Sequence, residues 1–276
     1  MRIRDYPPAV LRATVRISLL IGWTLVCYLA SVATSLGGTL GIRRAEGWRA
    51  RISRLWLDRF RVLLGTRIVV RGAPPRSPYF LVANHISWID FTAINAVCKA
   101  RYVVMAETAE FPFIGRLTTG LRPIYVKRTG ADKERVIGQM AEALRRGDDL
   151  AMAPEAGTSP GRRVYRFHAA LLEAAVVTST PVDWAAMTFR TPAGWPAASR
   201  CIPFPDPYFP ESTARFGGEH STHIPLRFLA HLARLTALPH HVAEITFGAD
   251  PVSASDRITL ANRLEAEVRA AFVPLE

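Results

Sequence analysis

The sequence predicts an α/β fold: a largely parallel, mixed sheet flanked by helices and preceded by an N-terminal helical segment embedded in a membrane. Three observations support this prediction. Short apolar runs alternate with helical stretches between residues 79 and 152, which is typical of parallel strands joined by helices. Apolar residues form 49% of the 276 residues and charged residues 21%, so the chain can bury a large core and is not disordered. Finally, no charged residue interrupts the apolar run from Ile17 to Ile42.

The individual elements follow from these patterns. Strands are predicted for the short apolar runs at residues 79–83, 101–105, 124–127 and 150–153. Helices are predicted at residues 91–98, 131–146 and 255–272. Gly147 follows the second of these helices as a stop signal. Residues 191–225 are rich in Pro and Gly, and we expect them to be irregular.

Positive charge is concentrated in the N-terminal quarter of the chain. The formal net charge is +12, and residues 1–71 hold thirteen arginines against three acids, whereas the remainder is nearly neutral. A basic arm on a neutral domain is typical of proteins that bind nucleic acid or an anionic membrane. Since a nucleic-acid arm has no use for an uncharged apolar run, we expect an anionic membrane as partner and no nucleic acid.

The apolar run of residues 17–42 exceeds the roughly 20 residues that span a bilayer. It is also longer than the ~7–15-residue apolar part of a signal peptide, which favours a retained segment over a cleaved one. Arginines flank both ends, whereas a single span that follows the positive-inside rule should be asymmetric. Symmetric flanks favour a helix pair that breaks near Gly37-Gly38 and returns from one leaflet, with a single span as the alternative.

The stretch after this run, Trp48 to Leu64, is predicted to be a basic helix at the membrane interface. We therefore predict two regions, a membrane-associating helical arm at residues 1–64 and a domain at residues 65–276. The three cysteines lie far apart, which excludes a disulfide scaffold or a thiolate zinc site and indicates a reducing compartment. The predicted location is the cytoplasmic face of the inner or cell membrane.

The first chemical motif is Asn84-His-Ile-Ser-Trp-Ile-Asp90, directly after the first predicted strand. If His85 lies in the loop and a helix starts just after it, Asp90 can accept a hydrogen bond from the imidazole and leave its other nitrogen as a base. Ser87 and Asp90 also have the spacing of a capping box. From spacing alone, a plain helix cap beside a structural His85 is favoured slightly over a catalytic pair.

Two further segments follow strands and suit an anion. Residues 153–161, Ala-Pro-Glu-Ala-Gly-Thr-Ser-Pro-Gly, supply glycines, hydroxyls and backbone N–H groups. Lys127-Arg128 ends the third predicted strand and offers two cations for a phosphate. Taken alone, the first segment is better explained as an ordinary turn and the second as a solvated charge pair.

Together these segments resemble a known family. N-H-I-S-W-I-D at residues 84–90 resembles the N-H-x4-D block of the glycerolipid acyltransferases, the lysophosphatidate acyltransferase family. F-P-F-I-G followed by I-Y-V-K-R resembles the second block, with Arg128 at its phosphate-binding arginine, and P-E-A-G-T-S resembles the third, P-E-G-T-x-S. Thr180-Pro-Val lies where the fourth block is expected. The four segments occur in the family's order between residues 79 and 187.

The resemblance implies an acyl transfer from a thioester donor, acyl-CoA or acyl-carrier protein, to the free hydroxyl of lysophosphatidate, giving phosphatidate. His85 is then the general base and Asp90 its orienting partner, without a metal or a resident cofactor. The implied ligands of the phosphate-bearing acceptor are Arg128, Glu155, Gly157 and Thr158. Another lysolipid acceptor, such as lyso-ornithine lipid or a lysophospholipid, and a non-catalytic membrane scaffold of the same fold are the alternatives.

Three positions depart from the family's pattern. Met105-Ala-Glu107 stands where a lysine is usual in the second block, and Asp183 interrupts the apolar fourth block. Ala156 is interpreted as an extra residue within E-G-T, so we expect a reshaped loop around Glu155. These departures bear on the acceptor more than on the reaction.

Overall fold

The computed structural model describes residues 7–39, 45–111, 113–127, 132–204 and 224–276. Its strands are β1 Thr66–Arg71, β2 Phe80–Ala83, β3 Arg101–Met105, β4 Ile124–Val126, β5 Leu150–Met152, β6 Asp183–Arg190 and β7 His241–Phe247. Its helices are α1 Pro7–Thr39, α2 Ala45–Leu64, α3 Ile89–Val97, α4 Ile114–Thr119, α5 Lys133–Arg145, α6 Glu173–Thr178, α7 Ala198–Cys201, α8 Ile224–Ala237 and α9 Arg257–Ala271. Short 3₁₀ helices lie at Ala106–Glu110 and Ala170–Leu172.

The strands form one sheet in the order β1-β7-β6-β2-β5-β3-β4. Neighbours are parallel throughout, except that β6 and β7 run antiparallel. The predicted mixed, largely parallel α/β sheet is therefore confirmed. Because β2, β3, β4 and β5 share one direction, their carboxyl ends meet at a single edge of the sheet.

The sheet separates two hydrophobic clusters. Along β2, Leu81 and Ala83 pack into the cluster that also holds residues of α1, α2 and α3. Phe80 and Val82 pack into the opposite cluster with residues of α5 and α9. Successive side chains of a strand point to opposite faces, so a four-residue apolar strand contributes to both clusters.

The long apolar segment forms α1, which ends at Thr39, directly after Gly37-Gly38, and the described chain resumes with α2 at Ala45. The predicted helix break near those glycines is therefore confirmed, whereas a return from one leaflet stays a prediction. Within the described residues, Pro8–Gly37 is the helix that is long and apolar enough to cross a membrane, with a mean hydropathy of 1.8 and 17% of its most apolar window buried. α1 pairs with the basic helix α2, and Trp23 Nε1 of α1 donates to the Trp56 carbonyl of α2 at 3.2 Å.

The helical pair is packed onto the domain. Leu20 of α1 and Trp56 and Phe60 of α2 belong to the same buried cluster as β2. Arg16 donates to the carbonyls of Leu238 and Pro239, at 2.6 and 2.8 Å, just beyond the end of α8. An arginine that the sequence suggested for the lipid surface therefore satisfies carbonyls at a helix C-terminus, which is a favourable position for a cation. The boundary after residue 64 stays a prediction.

The sequence patterns do not predict three of the strands, β1, β6 and β7. These strands carry polar or charged side chains, including Asp183 at the start of β6 and Glu244 within β7, and therefore do not form apolar runs. Asp183, expected as an interruption, is simply the first residue of β6. The segment 191–225 was predicted to be irregular; it contains α7 and the start of α8, and residues 205–223 lie outside the described residues.

Candidate active site

His85 lies in the loop two residues beyond the end of β2. Its Nδ1 is 2.8 Å from Asp90 Oδ2, so the hydrogen bond predicted from the loop-then-helix arrangement is present. Asp90 lies in the first turn of α3 and its side chain is 4% exposed, whereas 28% of the His85 side chain is exposed. A carboxylate on Nδ1 selects the tautomer in which Nε2 is unprotonated. The described part of the chain offers no hydrogen-bond partner to Nε2.

Asp90 also organises the backbone around His85. Its Oδ2 accepts the N–H groups of Ile86 and Ser87 at 2.6 and 2.9 Å, in addition to the imidazole. One half of a capping box is therefore formed, because the Asp90 carboxylate accepts the Ser87 N–H. The other half is absent, because the buried Ser87 hydroxyl has no partner and α3 starts after Trp88, so the prediction of Ser87 as a side-chain N-cap is wrong.

Asn84 fixes the other side of His85. Its side-chain amide donates to the Met187 carbonyl at 3.0 Å, and its carbonyl oxygen accepts the Met187 N–H at 2.7 Å. Asn84 thus continues the pairing of β2 with β6 by one residue. One amide N–H and the side-chain oxygen of Asn84 are therefore paired with the backbone of β6.

Glu155 lies below the loop rather than in open solvent. It is 3% exposed, and its Oε1 accepts the His85 N–H at 3.2 Å. Burial, with the negative charges of Asp90 and Glu265, raises the pKa of Glu155 to about 8, although backbone N–H groups of His85 and Tyr165 act in the opposite direction. The carboxyl is therefore mostly neutral at pH 7, unlike the anion of an ordinary surface glutamate.

The rest of the loop after β5 continues this support. The Ser159 N–H donates to the His85 carbonyl at 2.8 Å. The Thr158 hydroxyl donates to the Phe204 carbonyl, while the Phe204 N–H donates to the Ile86 carbonyl at 3.2 Å. Thr158 is 9% exposed, so its hydroxyl is engaged inside the protein.

Ala156 takes the left-handed backbone conformation, with φ of 58°. Glycine adopts this region without strain and alanine does not. In P-E-G-T-x-S the glycine directly follows the glutamate, and Ala156 occupies that place with Ser159 in register. The interpretation of Ala156 as an inserted residue is therefore wrong: it is a substitution at a glycine-like position. The half-buried Gly157 N–H has no hydrogen-bond partner among the residues that the structure describes.

Charged side chains follow the strands on one side of this loop. Glu107 and Glu110 are exposed in the 3₁₀ helix Ala106–Glu110, directly after β3, and Lys127 is exposed directly after β4. Arg128, the implied phosphate ligand, lies outside the described residues. Neighbouring strands are about 4.8 Å apart and β5 separates β2 from β3, so the acids begin roughly 10 Å from His85 along the sheet edge.

An aromatic network joins the motif to α8, and the sequence analysis missed it. Trp88 Nε1 donates to His231 Nδ1 at 3.0 Å, and His231 Nε2 lies 3.1 Å from the carbonyls of Cys201 and Ile202. Burial lowers the pKa of His231 to about 4, so the ring is neutral and its Nε2–H donates to those carbonyls. A histidine 143 positions from Trp88 carries no sequence signal for this contact.

No group of three or more His, Cys, Asp and Glu side chains in the described ranges has the arrangement of a metal site. The arrangement is instead that of a general base: an oriented imidazole with one free nitrogen at the carboxyl edge of a parallel sheet, where α/β proteins bind their ligands.

Comparison with known proteins agrees with this chemistry. A family model described as Acyltransferase matches residues 67–184. A lyso-ornithine lipid O-acyltransferase of Pseudomonas aeruginosa is 27% identical over 226 residues, covering 81% of this chain and 79% of the relative. A 1-acyl-sn-glycerol-3-phosphate acyltransferase of Neisseria gonorrhoeae is 26% identical, covering 73% of this chain and 72% of the relative.

The fold is also shared with a solved structure. The crystal structure of the 1-acyl-sn-glycerophosphate acyltransferase from Thermotoga maritima superposes with a TM-score of 0.54 at 18% identity, covering 93% of this chain and 97% of that one. At this identity the likeness concerns the fold. The His85–Asp90 pair lies in residues 67–184, which match the Acyltransferase family model, and the chain is similar to lysolipid acyltransferases over 73–81% of its length.

Proposed function

We propose that the chain transfers a fatty acyl group from a soluble thioester, acyl-CoA or acyl-carrier protein, to the free hydroxyl of a lysolipid at a membrane, with lysophosphatidate as the acceptor and phosphatidate as the product. The observation that supports the reaction is the His85–Asp90 pair, whose hydrogen bond leaves His85 Nε2 free on a partly exposed ring. The observation that supports a phosphate-bearing acceptor is the exposed Lys127 at the same sheet edge.

In the proposed reaction, His85 Nε2 removes the hydroxyl proton while the acceptor oxygen attacks the thioester carbonyl carbon. The carbonyl oxygen becomes an oxyanion, for which the Gly157 N–H is the candidate donor. When the tetrahedral intermediate collapses, the carbon–sulfur bond breaks and the thiolate takes the proton from His85. The buried Asp90 carboxylate stabilises the imidazolium that exists between these two steps.

Lyso-ornithine lipid is the second candidate acceptor, and a specific observation favours it. Glu107 and Glu110 present negative charge where the family's pattern has a lysine. A carboxylate repels a phosphate and attracts an ammonium group, and ornithine carries a free amino group. The Pseudomonas aeruginosa relative is named for this acceptor.

A panel of acceptors tests the proposal. Purified chain in detergent or vesicles receives one radiolabelled acyl-CoA with lysophosphatidate, lyso-ornithine lipid, a lysophospholipid or no acceptor, and thin-layer chromatography separates the products. Labelled phosphatidate supports the proposal, and a label confined to the ornithine lipid replaces it by the second candidate. Free fatty acid without an acceptor would show a hydrolase, and no product with either acyl-CoA or acyl-carrier protein would favour a scaffold.

We further propose that α1 anchors the protein and that the site faces the cytoplasm, where soluble thioesters are found. Exposed apolar side chains on α1 support the anchor, among them Leu11, Leu19 and Leu29 at 67, 52 and 58% exposure. Deleting residues 1–64 would also remove Trp56 and Phe60 from the core, so a triple change of the three leucines to serine is the cleaner test. The variant should lose sedimentation with vesicles, and unchanged sedimentation would contradict the anchor.

A further inference from the structure

The backbone of the catalytic loop is held by three different parts of the chain. Glu155 and Ser159, from the loop after β5, contact the N–H and the carbonyl of His85. Asp90 accepts the Ile86 N–H, and Phe204 donates to the Ile86 carbonyl. Consequently all four backbone polar groups of His85 and Ile86 are paired.

Glu155 contributes to this arrangement as a buried acceptor. The resemblance implied that it binds the acceptor lipid, but the side chain is 3% exposed and its Oε1 is directed at the His85 N–H. Both the burial and the hydrogen bond therefore separate Glu155 from the acceptor.

We propose that Glu155 is a positioning residue that acts on catalysis through His85, and that the loop of residues 155–159 is a support for the catalytic loop rather than a site for the acceptor. The proposal rests on the proposed role of His85 as the general base. Thr158 belongs to the same support. Its hydroxyl donates to the Phe204 carbonyl, and the Phe204 N–H donates to the Ile86 carbonyl.

The physical consequence concerns the orientation of the imidazole. His85 Nδ1 is fixed by Asp90, so the position of Nε2 depends on where the backbone of residue 85 lies. Without the Glu155 oxygen, the buried His85 N–H loses its partner and the loop shifts to find another. A displacement of about 1 Å at a catalytic group can cost about 10²-fold in rate.

Four variants test the proposal: the single variants E155A, E155Q and H85A, and the double variant H85A/E155A. E155A removes the acceptor oxygen, and we expect kcat to fall about 10²-fold while KM for the lysolipid stays within about twofold. E155Q keeps an oxygen in the same place without a charge, and we expect it to recover most of the turnover lost in E155A. In the double variant E155A should add little to H85A, because a residue that acts through His85 has no effect once His85 is gone.

Other results overturn the proposal. If E155Q is as impaired as E155A and both raise KM for the lysolipid, Glu155 is an anionic ligand of the acceptor. If E155A has normal kcat, or if it multiplies the loss in H85A, the residue does not act through His85. Should E155A fail to fold in a thermal melt, E155Q decides alone: a kcat and a KM for the lysolipid near those of the wild type support the positioning role, and a raised KM contradicts it.

The proposed function fails separately. Full turnover in H85A would contradict the assignment of His85 as the general base, whatever the result for Glu155. An inactive H85A together with a normal E155A would contradict the positioning role of Glu155 and leave the assignment of His85 intact.

Discussion

The loop after β2 and the 3₁₀ helix after β3 lie at the same edge of the sheet but differ in their surroundings. In the first, His85 and Ile86 have every backbone polar group paired, and Asp90 is buried. In the second, Glu107 and Glu110 are exposed. The proposed base therefore has a position fixed by hydrogen bonds, whereas the residues proposed to select the lipid headgroup can be substituted without loss of buried contacts.

The position of the strands explains this difference. β2 lies in the middle of the sheet between β5 and β6, so its loop receives contacts from the ends of both neighbours. β3 is next to the edge strand β4 and has fewer elements around its carboxyl end. A central strand is therefore the better place for a catalytic group that needs a fixed position, and a strand near the sheet edge suits recognition of a variable headgroup.

Short of removing the base, the largest effect is expected at Asp90. D90N keeps an oxygen near Ile86 and Ser87 but replaces the carboxylate that stabilises the imidazolium, so kcat should fall by at least about 10²-fold. Initial rates with a labelled acyl donor measure this. D256N is the matched control, since Asp256 also accepts two backbone N–H groups at a helix start, on α9. Equal losses in the two variants would show a general effect of helix capping.

The next effect concerns acceptor choice. E107K reverses the charge after β3, and we expect the kcat/KM ratio of lysophosphatidate to lyso-ornithine lipid to rise about tenfold, since about 1.4 kcal/mol of electrostatic preference corresponds to that factor. kcat on the preferred acceptor should change little by comparison. E267K adds the same charge to an exposed position of α9 and should leave the ratio unchanged. If both lysine variants shift the ratio equally, net charge rather than position is responsible.

A smaller effect is expected at Thr158. T158V removes the hydroxyl that donates to the Phe204 carbonyl, and a lost hydrogen bond of about 1 kcal/mol corresponds to roughly a fivefold fall in kcat if it acts only through the loop. Kinetics at varied lysolipid concentration should show an unchanged KM. A raised KM with normal kcat would instead support the role in acceptor binding that the family resemblance implies. T178V, which removes an intrahelical hydroxyl bond of α6, is the control.

The smallest effect is on stability. Burial lowers the pKa of His231 to about 4 and that of His241 to about 3. In the unfolded chain these imidazoles take up protons below about pH 6.5, whereas the folded protein keeps them neutral, so stability is lost as the pH falls from about 6.5 towards 4. Between pH 7 and pH 5 this loss is partly offset by Glu155, whose raised pKa acts in the opposite direction. The Tm should therefore fall less steeply on acidification in H231Q than in the wild type, and an identical pH dependence of the two proteins would contradict the buried neutral state of His231.

The sequence predicted the part of the site that is local. The His85–Asp90 hydrogen bond follows from two residues five positions apart and a helix that starts between them, so chain geometry alone could predict it. The contacts of Ser159 and Phe204 with residues 85 and 86 use backbone atoms, which any residue type supplies, and they carry no signature in the sequence. Glu155 also contacts a backbone group, the His85 N–H, so the sequence carries no signature for this contact either. The family resemblance implied instead that Glu155 binds the acceptor.

The fold shows a similar division. Four short, mostly apolar runs predicted β2, β3, β4 and β5, whereas β7 contains His241 and Glu244 and resembles no buried strand. His241 is tolerated there because its Nε2 is paired with the Thr66 hydroxyl at 2.8 Å, and Glu244 because Arg190 lies 3.1 Å away. The end of α1 at Thr39, directly after Gly37-Gly38, was predictable because glycine has a low helix propensity.

The most direct test compares the H85A variant with the wild type on both candidate acceptors. If His85 is the general base of a single reaction, H85A should lower kcat by about 10²–10⁴-fold on lysophosphatidate and by the same factor on lyso-ornithine lipid, with sedimentation on vesicles and the thermal melt unchanged. Acyl transfer that persists in H85A at the wild-type rate, or a loss confined to one of the two acceptors, would contradict the assignment of His85 as the base.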